Sequence, residues 1–138
     1  MAHPRMYSDD DLGLAELREI CLALPEAIEK ESHGRPTFRT KKIFAVFGGM
    51  TKGSGSLNYP CSVIVKMPEA GIRVVESDPR FYTPAYYGPW GWVGLDFTAE
   101  PLDWELVRDL VTDSWRETAP PRLVARFDEA NADQADSD

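Results

Sequence analysis

DPRFYTPAYYGPWGWVGLDF, residues Asp78 to Phe97, places Phe81, Tyr82, Tyr86, Tyr87, Trp90, Trp92 and Phe97 among three prolines and three glycines. Prolines at 79, 84 and 89 exclude a continuous helix or a central strand through the first half, because each removes a backbone N–H and fixes φ. The rings of that half therefore hang on a turn-rich backbone. Only Gly91 to Phe97 reads as a strand. Aromatic rings bury more area than any other side chains, so the segment is either the lid of a core or a recognition surface.

The chain upstream reads as strands. Ala27 to Glu31 is a short strand, and His33 to Pro36 is a connection. Thr37 to Arg39 and Ile43 to Phe47 form a hairpin around Thr40, Lys41 and Lys42, with IFAVF apolar enough for a buried strand. Gly48 to Ser56, GGMTKGSGS, reads as a mobile loop, and Leu57 to Lys66 returns as a strand with Cys61, Val63 and Val65 alternating on one face. Met67 to Ser77 mixes Pro68, Glu69 and Ala70, a good first helical turn, with the β-formers Ile72, Val74 and Val75; the balance favours a short helix ending before Pro79.

Helices flank this region. From Ser8 or Asp9 to Leu24, Leu14, Leu17, Ile20, Cys21 and Leu24 repeat at helical spacing, with Ser8 and Asp11 imitating a capping box and Pro25 as the stop. Asp103 is an N-cap for a helix to about Thr118, whose apolar stripe is Trp104, Val107, Leu110, Val111 and Trp115. Its other side carries Glu105, Asp109, Asp113 and Glu117 at i,i+4 without a histidine, the pattern of a solvated acidic face. Arg122 to Ala130 adds one more turn or two, and residues 128–138 read as an acidic, disordered tail. The expectation is one α+β domain over residues 1–127, with an antiparallel sheet of four to five strands covered by N-terminal and C-terminal helices.

Charge bounds the function. The chain has 15 Lys and Arg against 23 Asp and Glu, a net charge of −8. Between Ser32 and Lys66, however, there is no carboxylate, while Arg35, Arg39, Lys41, Lys42, Lys52 and Lys66 are basic; the rest of the chain carries −14. Overall acidity repels nucleic acid, but an acid-free basic interval is where phosphates would be gripped. Cys21 and Cys61 lack CxxC spacing and sit in apolar sequence, so a disulfide framework, zinc site or other cofactor is not expected. His33 beside Gly34 and Arg35 is a candidate polar site, but no Ser, Cys or Asp is spaced to make it a catalytic base. No stretch has membrane-spanning length and no leader is evident, which points to the cytosol.

Four segments, HGRPTF (33–38), KIFAVF (42–47), DPRFYTPAYYGPWGWVGL (78–95) and DWELVRDLVTDSWRETAPPRL (103–123), resemble in order the MmcQ/YjbR family, and the likeness spans Leu12 to Phe127. The resemblance implies a bacterial α+β protein whose helices cover an antiparallel sheet, similar in shape to secretion chaperones. It also implies DNA binding; some relatives carry a formyltransferase label for purine synthesis, which the absence of a Gly-rich nucleotide loop after a strand argues against here. Combined with the charge pattern, it makes Arg35, Arg39, Lys41, Lys42 and Lys52 the expected phosphate contacts, and Tyr86, Tyr87 and Trp90 the rings that stack on or wedge between bases. The alternative is an adaptor that takes a protein or peptide segment on the sheet or the aromatic stretch; an enzyme built on His33 comes third.

Overall fold

Strand alternation through the middle of the chain builds a six-stranded, wholly antiparallel sheet. The structure, a computed structural model, describes residues 5–53 and 55–136. The first four residues of the N-terminal lead, Ser54 of the glycine-rich segment and the last two residues of the acidic end lie outside the described residues. The strands are β1 (Ile28–Ser32), β2 (Arg35–Arg39), β3 (Ile43–Met50), β4 (Asn58–Lys66), β5 (Phe81–Tyr82) and β6 (Trp92–Asp96), and they lie in the order β1-β2-β3-β4-β6-β5. The strand beyond the expected four to five is β5, a two-residue element within the aromatic segment, bracketed by Pro79 and Pro84.

Two irregularities bend the ladder. The register of β2 and β3 shifts between Phe38 and Arg39, so that Phe44 falls between the pairs Phe38↔Ala45 and Arg39↔Ile43. The register of β3 and β4 shifts between Phe47 and Gly49, where Gly48 has φ 81° and Pro60, which cannot donate to a ladder, faces the break. The first part of the segment expected as a mobile loop is therefore strand. Gly49 is required by packing: a Cβ there would lie 2.6 Å from the Tyr82 hydroxyl and 2.7 Å from Ile64 Cδ1.

One face of the sheet is buried under three helices, α1 (Leu14–Leu22), α3 (Trp104–Thr118) and α4 (Pro121–Asp136). Leu14, Leu17 and Cys21 of α1, Val107, Leu110, Val111 and Trp115 of α3, and Leu123 of α4 form one core with Phe38, Phe44, Phe47, Val63, Val65 and Leu95. Trp115 is fully buried, its ring 5.1 Å from that of Phe127 and its Nε1 donating to Pro25 O at 3.3 Å. Trp104, at the first turn of α3, is only half-buried. Ser114 clasps helix to sheet: its Oγ donates to Phe44 O at 2.6 Å and accepts from Lys66 N–H at 2.9 Å.

Helix boundaries follow local chemistry. Asp103 caps α3 by accepting from Glu105 N–H. The short helix α2 (Glu69–Glu76) follows Pro68 as expected. The first helix begins at Leu14, later than the sequence suggests, because Gly13 turns left-handed at φ 86° and any Cβ there would run into the Phe97 ring. Ser8 and Asp11 close a separate turn instead, with Ser8 N–H donating to Asp11 Oδ2 at 2.9 Å. Helix α4 runs to Asp136, further than the turn or two expected after Arg122. Among the described residues no helix is long and apolar enough to cross a membrane.

Candidate functional site

Register decides which charges share the face turned away from α1, α3 and α4. Ile28 pairs with Arg39, Lys30 with Thr37 and Ser32 with Arg35, while Thr37 pairs with Val46 and Val46 with Ile64. Directly opposed residues point the same way, so Lys30, Arg35 and Arg39 lie on the open face with Val46 and Ile64, and Lys66, two residues beyond Ile64, joins them. The carboxylates of β1 alternate to the other side. Glu29 receives two hydrogen bonds from Arg18 of α1, at 2.9 and 3.0 Å, and Glu31 accepts from the Tyr7 hydroxyl at 2.9 Å. The open face of β1 to β4 thus has no acidic residue.

Its two arginines have no carboxylate partner among the described residues. Arg35 leaves a tight turn in which His33 (φ 54°) and Gly34 (φ 80°) are both left-handed. Its guanidinium lies over Gly48, where a Cβ would collide with Nη1. Half-burial pulls its pKa down, partly offset by the nearby Tyr82 and Tyr87. Arg39 Nη2 donates to Thr37 Oγ1 at 2.9 Å, and its Nε is buried without a partner.

The aromatic segment crosses this face. Ala85 N–H donates to Met50 O at 2.8 Å, pinning the segment to the end of β3; at the other end Met67 N–H donates to Gly91 O at 2.9 Å. Between them Tyr86 projects at 84% exposure from a left-handed backbone (φ 71°), Tyr87 is half-buried, and Trp90 is 76% exposed on a 3₁₀ turn, Gly88–Trp90. The Tyr87 and Trp92 rings lie 5.5 Å apart, and burial raises the Tyr87 pKa against the opposing pull of Arg39 and Arg35. Beneath the segment, Tyr82 stacks on Tyr59 at 4.1 Å and exchanges a 2.8 Å hydrogen bond with Ser62; burial pushes its pKa up to about 12. A cavity of about 600 Å³ opens between β2, the end of β3 and Tyr86–Tyr87, with Arg35 and His33 in its wall.

The structure therefore brings together Arg35, His33, Tyr86 and Tyr87, with Arg39 further along the same face. Lys41 and Lys42 are exposed in the turn after Arg39, at the opposite end of the hairpin from the cavity, and Lys52 is exposed in the loop beyond Met50. They extend the basic strip at its two ends and do not form one patch with the arginines. Trp90 sits beside the start of β6, near the Lys66 end of the face. Lys30 and Lys66 are absent from the sequence-derived site; strand register was the missing signal. Cys21 is fully buried and Cys61 half-buried, both with pKa values raised first by burial, so neither resembles an activated thiolate. Among the described residues no three His, Cys, Asp or Glu side chains converge as metal ligands.

A family model, YjbR, matches residues 22–117, which span β1 to the last turn of α3 and include the whole open face. Among solved structures, the chain is similar to the crystal structure of Deinococcus radiodurans protein DR2400, which carries the family domain DUF419. That similarity has a TM-score of 0.54 and 18% identity over 75% of each chain, a likeness of fold alone. No curated protein sequence matches the chain.

Proposed function

The chain belongs to the YjbR family, and from that premise we propose that it binds single-stranded nucleic acid, weakly and without sequence preference, along the open face of its sheet. One observation carries the reading: Lys30, Arg35, Arg39 and Lys66 share a face from which the carboxylates of β1 are turned away, beside the exposed rings of Tyr86 and Trp90. Cations on alternate strand positions suit a phosphate chain, and exposed rings suit unpaired bases, since stacking needs a free base face. Lys41, Lys42 and Lys52 lengthen the strip for electrostatic contact only. The net charge of −8 limits affinity to the micromolar range or weaker that is usual for non-specific contacts.

Fluorescence anisotropy with random single-stranded and duplex oligonucleotides tests this. Three or four phosphate contacts on a single strand give a slope of about −2 to −3 for log affinity against log salt. Single strands are expected to bind more tightly than duplex, and Arg39→Gln with Lys66→Gln to weaken all sequences alike. Absence of binding even at low salt overturns the reading and leaves a protein or peptide segment as the occupant of this face.

A further inference from the structure

We propose that the cavity beneath Tyr86 and Tyr87 is a site for a small organic carboxylate, a monoanion with a flat apolar body, whose carboxylate is held by Arg35. Arg35 and Tyr86 also belong to the face proposed for nucleic acid, but Lys30, Arg39 and Lys66 are not in the cavity wall, so carboxylate binding does not depend on that reading.

The cavity, about 600 Å³, lies within the range of small-molecule sites. Val46 and Ile64 give it an apolar floor, and Tyr86 and Tyr87 bound it on the side of the aromatic segment. Among the described residues, Arg35 is the one permanently charged residue in the wall, and no carboxylate lines it. Its half-buried guanidinium has lost part of its hydration, and no carboxylate among the described residues pairs with it. Its planar fork matches a carboxylate in two parallel hydrogen bonds. A single positive charge in an apolar wall balances a single negative one, whereas a phosphate dianion would keep an uncompensated charge there. Gly48 makes room for this arrangement: any side chain at that position would displace the Arg35 guanidinium.

The probes are 3-phenylpropionate, its neutral amide 3-phenylpropionamide, and inorganic phosphate, titrated into the full chain and followed by calorimetry and by the backbone amide signals of Gly48 and Gly49. The acid is expected to saturate and to bind roughly tenfold to a hundredfold more tightly than the amide, the range of one charge-assisted hydrogen-bonded pair. It should shift the two glycine signals, and phosphate should not compete. Arg35→Gln should remove the preference for acid over amide, while Arg108→Gln, a charge-matched change on the exposed side of α3, should leave it intact. Equal binding of acid and amide by the unaltered protein overturns the proposal without recourse to a variant. So does full competition by phosphate, or acid binding that leaves Gly48 and Gly49 unshifted. Retention of the acid preference in Arg35→Gln would equally exclude Arg35 as the anchor.

Discussion

Tyr82 shows how one residue joins the two halves of the molecule. Its ring covers Gly94, where any Cβ would strike it, and stacks on Tyr59, while its hydroxyl meets Ser62. Burial raises its pKa to about 12, against about 10 for an unfolded tyrosine. Because the folded state holds the proton more tightly, the corresponding stability is fully present below about pH 10 and is lost as pH rises from about 10 towards about 12. The loss between those limits is on the order of 1–3 kcal/mol. Tyr87 and Cys21 also have raised pKa values and add slopes of the same sign, so the comparison has to be differential. Urea midpoints measured from neutral to strongly alkaline pH should fall more steeply for the wild-type protein than for Tyr82→Phe. Parallel curves would mean that the Tyr82 hydroxyl is not desolvated in the folded state.

Among elements, the contact between α3 and the sheet depends on one hydroxyl. Ser114 lies between hydrophobic residues of α3 that all face the core, yet it satisfies both Phe44 O and Lys66 N–H. Ser114→Ala should cost about 1–3 kcal/mol, because both backbone groups would lose a partner inside the fold. A denaturation midpoint equal to wild type would show that water or a neighbouring strand replaces the hydroxyl. The elements themselves were largely legible. IFAVF gave a buried strand, Asp103 an N-cap, and the triplet of prolines an irregular aromatic segment, because each of these signals is local. What stayed hidden depends on distant partners. Gly13 ends a turn because Phe97 occupies the space of its Cβ, and Gly49 lies in a strand because Tyr82 and Ile64 press on it. In sequence Gly13 falls inside the expected first helix and Gly49 inside the expected mobile loop. The site was legible as residue types and not as geometry: Arg35, Tyr86 and Tyr87 converge, Lys41 and Lys42 fall at the far end of the hairpin, and Lys30 entered only through its pairing with Thr37.

At the scale of the whole molecule, the sheet separates two electrostatic environments. Glu105, Asp109, Asp113 and Glu117 are exposed on α3, which packs on the opposite side from Lys30, Arg35, Arg39 and Lys66. A helix diameter of about 10 Å plus the sheet lies between the acidic side chains and the open face. That separation exceeds the Debye length, about 10 Å at 0.1 M salt. These four carboxylates should therefore act on a bound strand only as a weak, salt-screened field, whereas Asp96, opposite Ser62 on β6, lies on the open face itself. Neutralising Asp109, Asp113 and Glu117 together to Asn, Asn and Gln should raise single-strand affinity by less than about threefold at low salt, with no effect near 0.15 M. Its log–log salt slope should not change, since no phosphate contact is made or lost. Removing Arg39 and Lys66 should instead make the slope shallower by about 0.7 for each lost contact. The two sets of variants thus locate the strand without a structure of the complex. If the α3 changes alter the salt slope, or raise affinity more than about tenfold at near-physiological salt, the strand lies on the helical side and the assignment of the open face is wrong.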